Sequence, residues 1–446
     1  ACVYEGADGT NRSLAQSLDA EKVKSRLFFN WKMKYISTAW NWWHATDVHS
    51  PQLMKTTFQT LVIVCALALP GCLSPITLNR AVVAYDEAIT DAIAKQLLVN
   101  IARAERHQPI HFTGVSNIAA TFDFRVSAGA TPTLTGDAGR TLMPIFGGSV
   151  AENPTISIVP IEGEEFAKRM LSPFNEGKLI LLLRQRFDID LLLRLMAQEL
   201  RIQQNGADIA FRNTPADRMG YERFRRAVLH LSAIQDNNQL YVEPMNFERV
   251  WTIPANAVTA EGFLALEKDY FVTYNQRENT YTLRKPITGR IRITNYDPAT
   301  LSSEERARLN EETEDEHIND VSFDIRAGHF GGEYPMKGHF RLRSFNAMLH
   351  FLARSLGEDA EYHVDKDPLT PEVTENPVFT MEMVKSDGNP SGVDLAIQSH
   401  GTYYAVRTDG PLARWNREAF QLLYLLFQMT VTEIPRLGVP SITIAK

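Results

Sequence analysis

Cysteine is nearly missing from this chain: 446 residues hold three, Cys2, Cys65 and Cys72. If the chain is cut before Cys72, only that cysteine remains, which excludes a disulfide framework within the chain and a thiolate zinc site. No Gly-x-Ser-x-Gly, Ser-x-x-Lys, Gly-x-x-x-x-Gly-Lys-Ser/Thr, Gly-x-Gly-x-x-Gly or His-Glu-x-x-His occurs. The serine-hydrolase elbow, the phosphate-cradling loop, the dinucleotide turn and the helical zinc pair therefore have no sequence basis. Positive charge is also short, with 46 Lys and Arg against 53 Asp and Glu and a net of −7. Bulk charge does not draw such a chain to nucleic acid or anionic lipid, and no nucleic-acid partner is expected.

What is present is one apolar run, "MKTTFQTLVIVCALALPGC", residues 54–72. It is shorter than the roughly 20 residues of a transmembrane helix. Met54, the charge of Lys55, the apolar stretch and small residues before a cysteine follow the order of a secretory signal. Leu69, Pro70 and Gly71 before Cys72 resemble a bacterial lipobox, so Cys72 is the expected site of lipid attachment and 54–71 the expected signal peptide. Leu73, where Asp would favour inner-membrane retention, points to the outer membrane. The alternative is a buried core element ending in Pro-Gly. Residues 1–53 carry four of the six tryptophans. Their break in composition reads as upstream over-translation or a leader, outside the fold; the rival is an amphipathic segment on a membrane surface.

Beyond Cys72 the pattern predicts an α+β fold: a mixed or antiparallel sheet packed with several helices, behind a long helix that follows a lipid tether. Region 72–108 reads as tether and helix, with Val82, Tyr85, Ile89, Ile93, Leu97 and Ile101 on one face. Region 109–301 reads as α/β. Within it, residues 111–129 alternate like strands, 127–149 read as a mobile loop, and "KLILLLRQ" reads as a buried strand. "DIDLLLRLMAQELR" reads as a helix capped by Asp188, and "YTLRKPITGRIRITNY" as a hairpin or adjacent strand pair. Residues 302–320, dense in Asp and Glu, read as an acidic linker or insertion. Region 321–446 reads as a C-terminal α/β part packed on the preceding one. It includes a helix apolar nearly all round from Phe420 to Met429 and a closing strand "SITIAK".

Four stretches, 97–124, 153–174, 340–356 and 417–431, resemble a group of uncharacterised Gram-negative bacterial lipoproteins. Leu97, Leu98, Asn100, Ile101 and Arg103 match a Leu-Leu-x-Asn-Ile-x-Arg motif. Pro154, Thr155, Pro160, Gly163, Glu164, Glu165 and Phe166 match a Pro-Thr-x-x-x-x-Pro-x-x-Gly-Glu-Glu-Phe motif. The resemblance implies a lipid anchor in the cell envelope and brings no activity with it.

Candidate chemistry is sparse. His329, Glu333 and His339, in a Gly-rich stretch, are a weak set of zinc ligands; the alternative is a connection with its histidines in water. His107 and His111 flank Pro109, which breaks any helix that would align them. Asn100 and Arg103 read either as a ligand-binding pair or as a polar dock between the helix and the following strand. Glu164 and Glu165 suit a helix N-terminus. No cofactor is called for. The favoured expectation is a non-enzymatic, lipid-anchored binding or assembly component facing the periplasm or the cell surface, held by its lipid and meeting an envelope protein. The alternative is a periplasmic hydrolase acting on cell-wall or polysaccharide substrate through paired carboxylates.

Overall fold

The computed structural model of the chain describes residues 74–132, 142–204, 207–313, 317–357 and 359–431. Leu69, Pro70, Gly71, Cys72, the segment 1–53 and the strand expected at "SITIAK" lie outside them. The fold is α+β, with nine α-helices and four sheets among the described residues. None of these helices is long and apolar enough to cross a membrane.

Helix α1 (Ser74–Glu105) opens the described chain. Its apolar stripe is buried only toward its end: Val82 is exposed, whereas Leu97, Leu98 and Ile101 are fully buried. The helix stops four residues before Pro109, whose ring cannot continue it. Next come β1 (Phe112–Pro132) and β2 (Leu142–Ile161), paired in one antiparallel ribbon from Phe112↔Ile161 to Pro132↔Leu142. Much of the stretch expected to be a loop at 127–149 is therefore strand. Cross-strand pairing overrides a Gly- and Ala-rich composition that disfavours strands locally.

Three short helices follow: α2 (Glu164–Leu171), α3 (Glu176–Arg184) and α4 (Ile189–Met196). Helix α3 corrects the strand expected at "KLILLLRQ". Asn175 caps it by accepting from the Lys178 amide, and its leucines are strong helix formers. The expected Asp188 cap is present, accepting from the Asp190 amide. The helix ends at Met196, however, and "AQELR" turns into β3 (Ala197–Gln204), which pairs with β4 (Ala207–Arg212). A continuous apolar run cannot mark that switch of period.

Helix α5 (Arg218–Asp236) is followed by β5 (Tyr241–Pro244), β6 (Phe247–Pro254), α6 (Ala260–Asp269), β7 (Phe271–Asn275), β8 (Thr280–Ile287) and β9 (Ile291–Thr294). Strands β8 and β9 do not pair with each other. β8 is the middle of a small sheet ordered β6-β8-β7, and β9 joins the main sheet. Then come α7 (Ser303–Glu311), β10 (Asp320–Ile325), β11 (Met336–Leu342), α8 (Phe345–Ser355), β12 (Met383–Ser386), β13 (Ala396–Ser399), β14 (Thr402–Val406) and α9 (Ala413–Gln428). Strands β12, β14 and β13 form a third sheet.

The main sheet has six strands in the order β4-β3-β11-β10-β9-β5; β9 and β10 run parallel and every other pair is antiparallel. It draws strands from both sides of residues 302–320, so that segment divides no sheet. Leu200, Ile293, Phe323, Phe340 and Leu342 lie on one face and join the core with α4, α5, α8 and α9. The Phe224 ring of α5 meets Phe340 edge-on at 5.9 Å. Where α1 gives way to β1, Phe112 stacks on Phe427 of α9 at 4.3 Å. Helix α9 buries one face, through Ala419, Leu422, Leu423 and Leu426, while Gln421 is exposed. It is amphipathic rather than apolar all round.

Candidate functional site

On its four inner strands, β3, β11, β10 and β9, the residues on the other face of the main sheet are polar or charged. In β10 these are Asp320, Ser322 and Asp324; in β11, Lys337, His339 and Arg341; in β3, Glu199 and Arg201; in β9, Arg292. Strand alternation sends their neighbours to the core and leaves these on one surface. Register then sets the pairs. Arg341 lies opposite Asp320 on one side and Glu199 on the other, and His339 lies opposite Ser322 and Arg201.

All of these but Asp324 and Glu199 line a polar cleft of about 340 Å³, with Asp208 and the edge residues Glu312 and His317. Arg341 grips Asp320 through two nitrogens, at 2.9 and 3.2 Å, and lies 3.5 Å from Glu199. Lys337 and Arg292 meet Glu312 at 2.8 and 3.5 Å, and Arg201 meets Glu199 at 2.7 Å. The His339 Nε2 is 3.7 Å from Asp320. Burial alone would raise the Asp320 carboxyl, but the Arg341 hydrogen bonds and the nearby His339 hold it below the usual carboxylate range. It is a fixed anion, not a proton donor near neutral pH.

The acidic segment 302–320 supplies one rim of this cleft. Ser302 caps α7 in a reciprocal capping box with Glu305, so part of the segment is ordered helix. Glu312 and Asp320 are held by cations of the sheet. Of the acidic residues described in this segment, Glu312 and Asp320 are matched to Arg292, Lys337 and Arg341, while Glu304 and Glu311 are exposed.

The proposed zinc set is not assembled. His339 sits in β11 on the sheet, whereas His329 lies in the preceding turn with its ring 5.6 Å from that of Tyr296. Among the described residues no group of three or more His, Cys, Asp or Glu could hold a metal ion. The cause is topological: the turn at 326–335 and the strand that follows present their histidines to different neighbours. Asn100 and Arg103 both reach His111, so they serve the docking of α1 on the root of β1. His107 occupies a left-handed turn position with φ 56°. Glu164 and Glu165 stand in the first turn of α2, where Glu165 pairs with Arg169 at 2.8 Å.

A second polar cluster is wholly internal and belongs to the packing. Arg194 of α4 donates to Glu361 at 2.9 Å and to the carbonyls of Pro377 and Val378. Tyr221 and Thr380 donate to the same Glu361 carboxylate, and Arg225 pairs with Asp190. Burial would raise Glu361, but Arg194 and the Thr380 bonds hold it low. These contacts tie the irregular segment 359–382 to α4 and α5. Asp188 is the opposite case: burial, then the charge of Asp190, push its carboxyl up to about 7. It is a helix cap and does not line the cleft.

The cleft residues could have been sought in the sequence through one signal. "DVSFDI" and "MKGHFRL" alternate charge with large apolar residues, the mark of a strand with one wet face. Which wet faces meet depends on register between strands far apart in the chain. Comparison with known proteins finds no match: no family model, no curated protein and no solved structure is similar to this chain.

Proposed function

We propose that this chain is a lipid-anchored cell-envelope protein that binds a polar ligand without turning it over, in the cleft on the charged face of the main sheet. One observation carries the reading. The cleft's buried carboxylate, Asp320, is locked in an ion pair and held ionised, while Arg201, His317 and His339 line the same space. Fixed, mutually paired charges of both signs recognise a ligand rich in hydroxyl, carboxylate or phosphate groups. General acid catalysis by the same cleft needs a carboxyl tuned toward neutral pH. The anchor is Cys72, following Leu69, Pro70 and Gly71, and it holds the protein at the outer membrane.

Two measurements test this. Metabolic labelling with palmitate should mark the chain and vanish in Cys72→Ser; undiminished labelling in that variant defeats the anchor. Calorimetry of the full chain with soluble cell-wall glycan fragments and with inorganic phosphate should show binding that Arg201→Gln weakens about tenfold, with no product released. Cleavage of a glycan fragment that Asp320→Asn abolishes would establish the hydrolase instead. Absence of binding to both probes would defeat the cleft as the ligand site.

A further inference from the structure

The β1–β2 ribbon has no role in the cleft, and its construction is unusual. Its strands run 21 and 20 residues, about 65 Å at roughly 3.3 Å per residue. Among the described residues they pair only with each other. A lone two-stranded ribbon is at best marginally stable in water. Each strand also has an outer edge, with a row of backbone donors and acceptors that invites another strand.

Register divides the ribbon into two unlike faces. Ile118↔Ile156, Phe124↔Val150 and Ala128↔Phe146 share one face; the other is mixed, with Thr121↔Asn153, Arg125↔Ser149 and Ser127↔Gly147 beside Gly129↔Ile145 and Thr131↔Met143. At the root, Ile156 and Ile158 of the first face are 48% and 67% exposed. Glu152, opposite Phe122, is the only charged residue on that face between 118 and 156. From Phe124 to Pro132, and on the partner strand from Leu142 to Val150, every residue of the face is Phe, Val, Leu, Ala, Gly or Pro. Those five face residues per strand span nine residues of chain, matching the roughly 9–11 residues with which a β-strand crosses a bilayer. In β1 from Phe124 to Pro132 these apolar residues alternate with Arg125, Ser127, Gly129 and Thr131, the pattern of a barrel strand with lipid outside and water within, while the tip of β2 at 142–146 is apolar on both faces.

We propose that the ribbon is one stave of a membrane-spanning β-barrel built from several copies of this chain. Strand β1 of one copy pairs with β2 of the next. Because the two strands of each copy run in opposite directions, every new pair is antiparallel and the strand number is even. The contact is head-to-tail and is satisfied only by ring closure. Closure removes both edges of every copy. The face of Phe124, Val126 and Phe146 meets lipid, and the face of Thr121, Arg125 and Ser149 lines the lumen. The membrane it enters follows from the envelope reading above; the pairing between copies does not depend on Cys72 or on the cleft.

The test uses the full chain in mild detergent and in dye-loaded vesicles of phosphatidylethanolamine and phosphatidylglycerol. Light scattering should give one discrete multi-chain mass, and the protein should release dye. Phe124→Arg together with Val126→Arg should cut release at least tenfold, whereas Ser127→Arg on the other face should retain it. A variant with residues 118–156 replaced by a short Gly-Ser turn should be monomeric and keep the thermal midpoint of the body. Equal masses for the full and shortened chains would overturn the proposal, as would dye release indifferent to the two arginines. Loss of palmitate labelling in Cys72→Ser with the ring intact would separate the anchor from the barrel; a labelled chain that stays monomeric would keep the anchor and defeat the barrel.

Discussion

The side-chain amide of Asn100 closes two hydrogen bonds on the backbone of His111, donating to its carbonyl at 2.8 Å and accepting from its N–H at 3.0 Å. Gln96, one helical turn earlier, does the same to Thr113, at 3.0 and 2.7 Å. Two amides at i and i+4 of α1 thus act as a short substitute strand along His111 and Thr113, at the start of β1. Arg103 steadies the first of them, 3.2 Å from the Asn100 oxygen. The helix fixes the root of the ribbon by backbone pairing rather than by apolar contact alone.

Asn100 is fully buried, so Asn100→Ala leaves a donor and an acceptor of His111 to find other partners. The expected loss is about 1–3 kcal/mol in urea denaturation. Gln96, half-buried, should cost less when changed to alanine. Equal and negligible losses at both positions would show that the strand root is held by other means.

Arg194 and Glu361 are both almost fully buried, and neither has water to fall back on. Glu361→Gln should cost about 3–5 kcal/mol, because it strands a guanidinium in the core. Adding Arg194→Met to that variant should cost less than the two single changes combined. A double-mutant cycle in urea measures the coupling; strict additivity would mean that the two charges stabilise the fold independently.

The Asp188 carboxyl has a folded-state pKa of about 7, above the roughly 3.9 of an unfolded aspartate. Its contribution to stability is fully present below the unfolded value and is lost as pH rises through the folded one. Asp188→Asn keeps a capping side chain and cannot ionise. The thermal midpoint of the variant relative to the parent should climb between about pH 4 and 7 and level off above. A constant difference would show that Asp188 ionises in the fold without penalty. His230, whose pKa burial holds below its ordinary value, imposes the opposite slope on parent and variant alike and drops out of the comparison.

Helix α9 gives a test of which side of an apolar helix is core. Leu423 is fully buried, and Leu423→Ala should cost about 2–5 kcal/mol. Leu425 is only half-buried, beside an apolar groove shared with Phe420 and Tyr424, and its alanine variant should cost clearly less. Comparable losses at the two positions would mean that both sides of the helix are covered.

Several features were legible in the residues because the signal is local. The stop of α1 before Pro109 and the Asp188 cap each depend on a few neighbours and on a backbone preference that needs no partner. The class of the fold, α+β, follows from the same alternation of periods. "KLILLLRQ" and "MAQELR" were not legible. An apolar run buried on every side carries no period, and only the packing of α3 and α4 against α8 and β3 decides between helix and strand.

The sequence by itself determined which strand faces would be wet: charge alternates with apolar bulk in "DVSFDI" and "MKGHFRL", and a two-residue period admits one arrangement. Tertiary structure alone decided that those faces meet in one cleft, that Asp320 lies between Arg341 and His339, and that Arg194 finds Glu361 across 167 residues of chain. The ribbon is a local case: residues 127–132 and 142–149 lack strand propensity, and antiparallel pairing between neighbouring segments, from Ser127↔Gly147 to Pro132↔Leu142, makes them strand. Long-range pairing is set by the shared burial of many elements, and no local window of sequence contains that free energy.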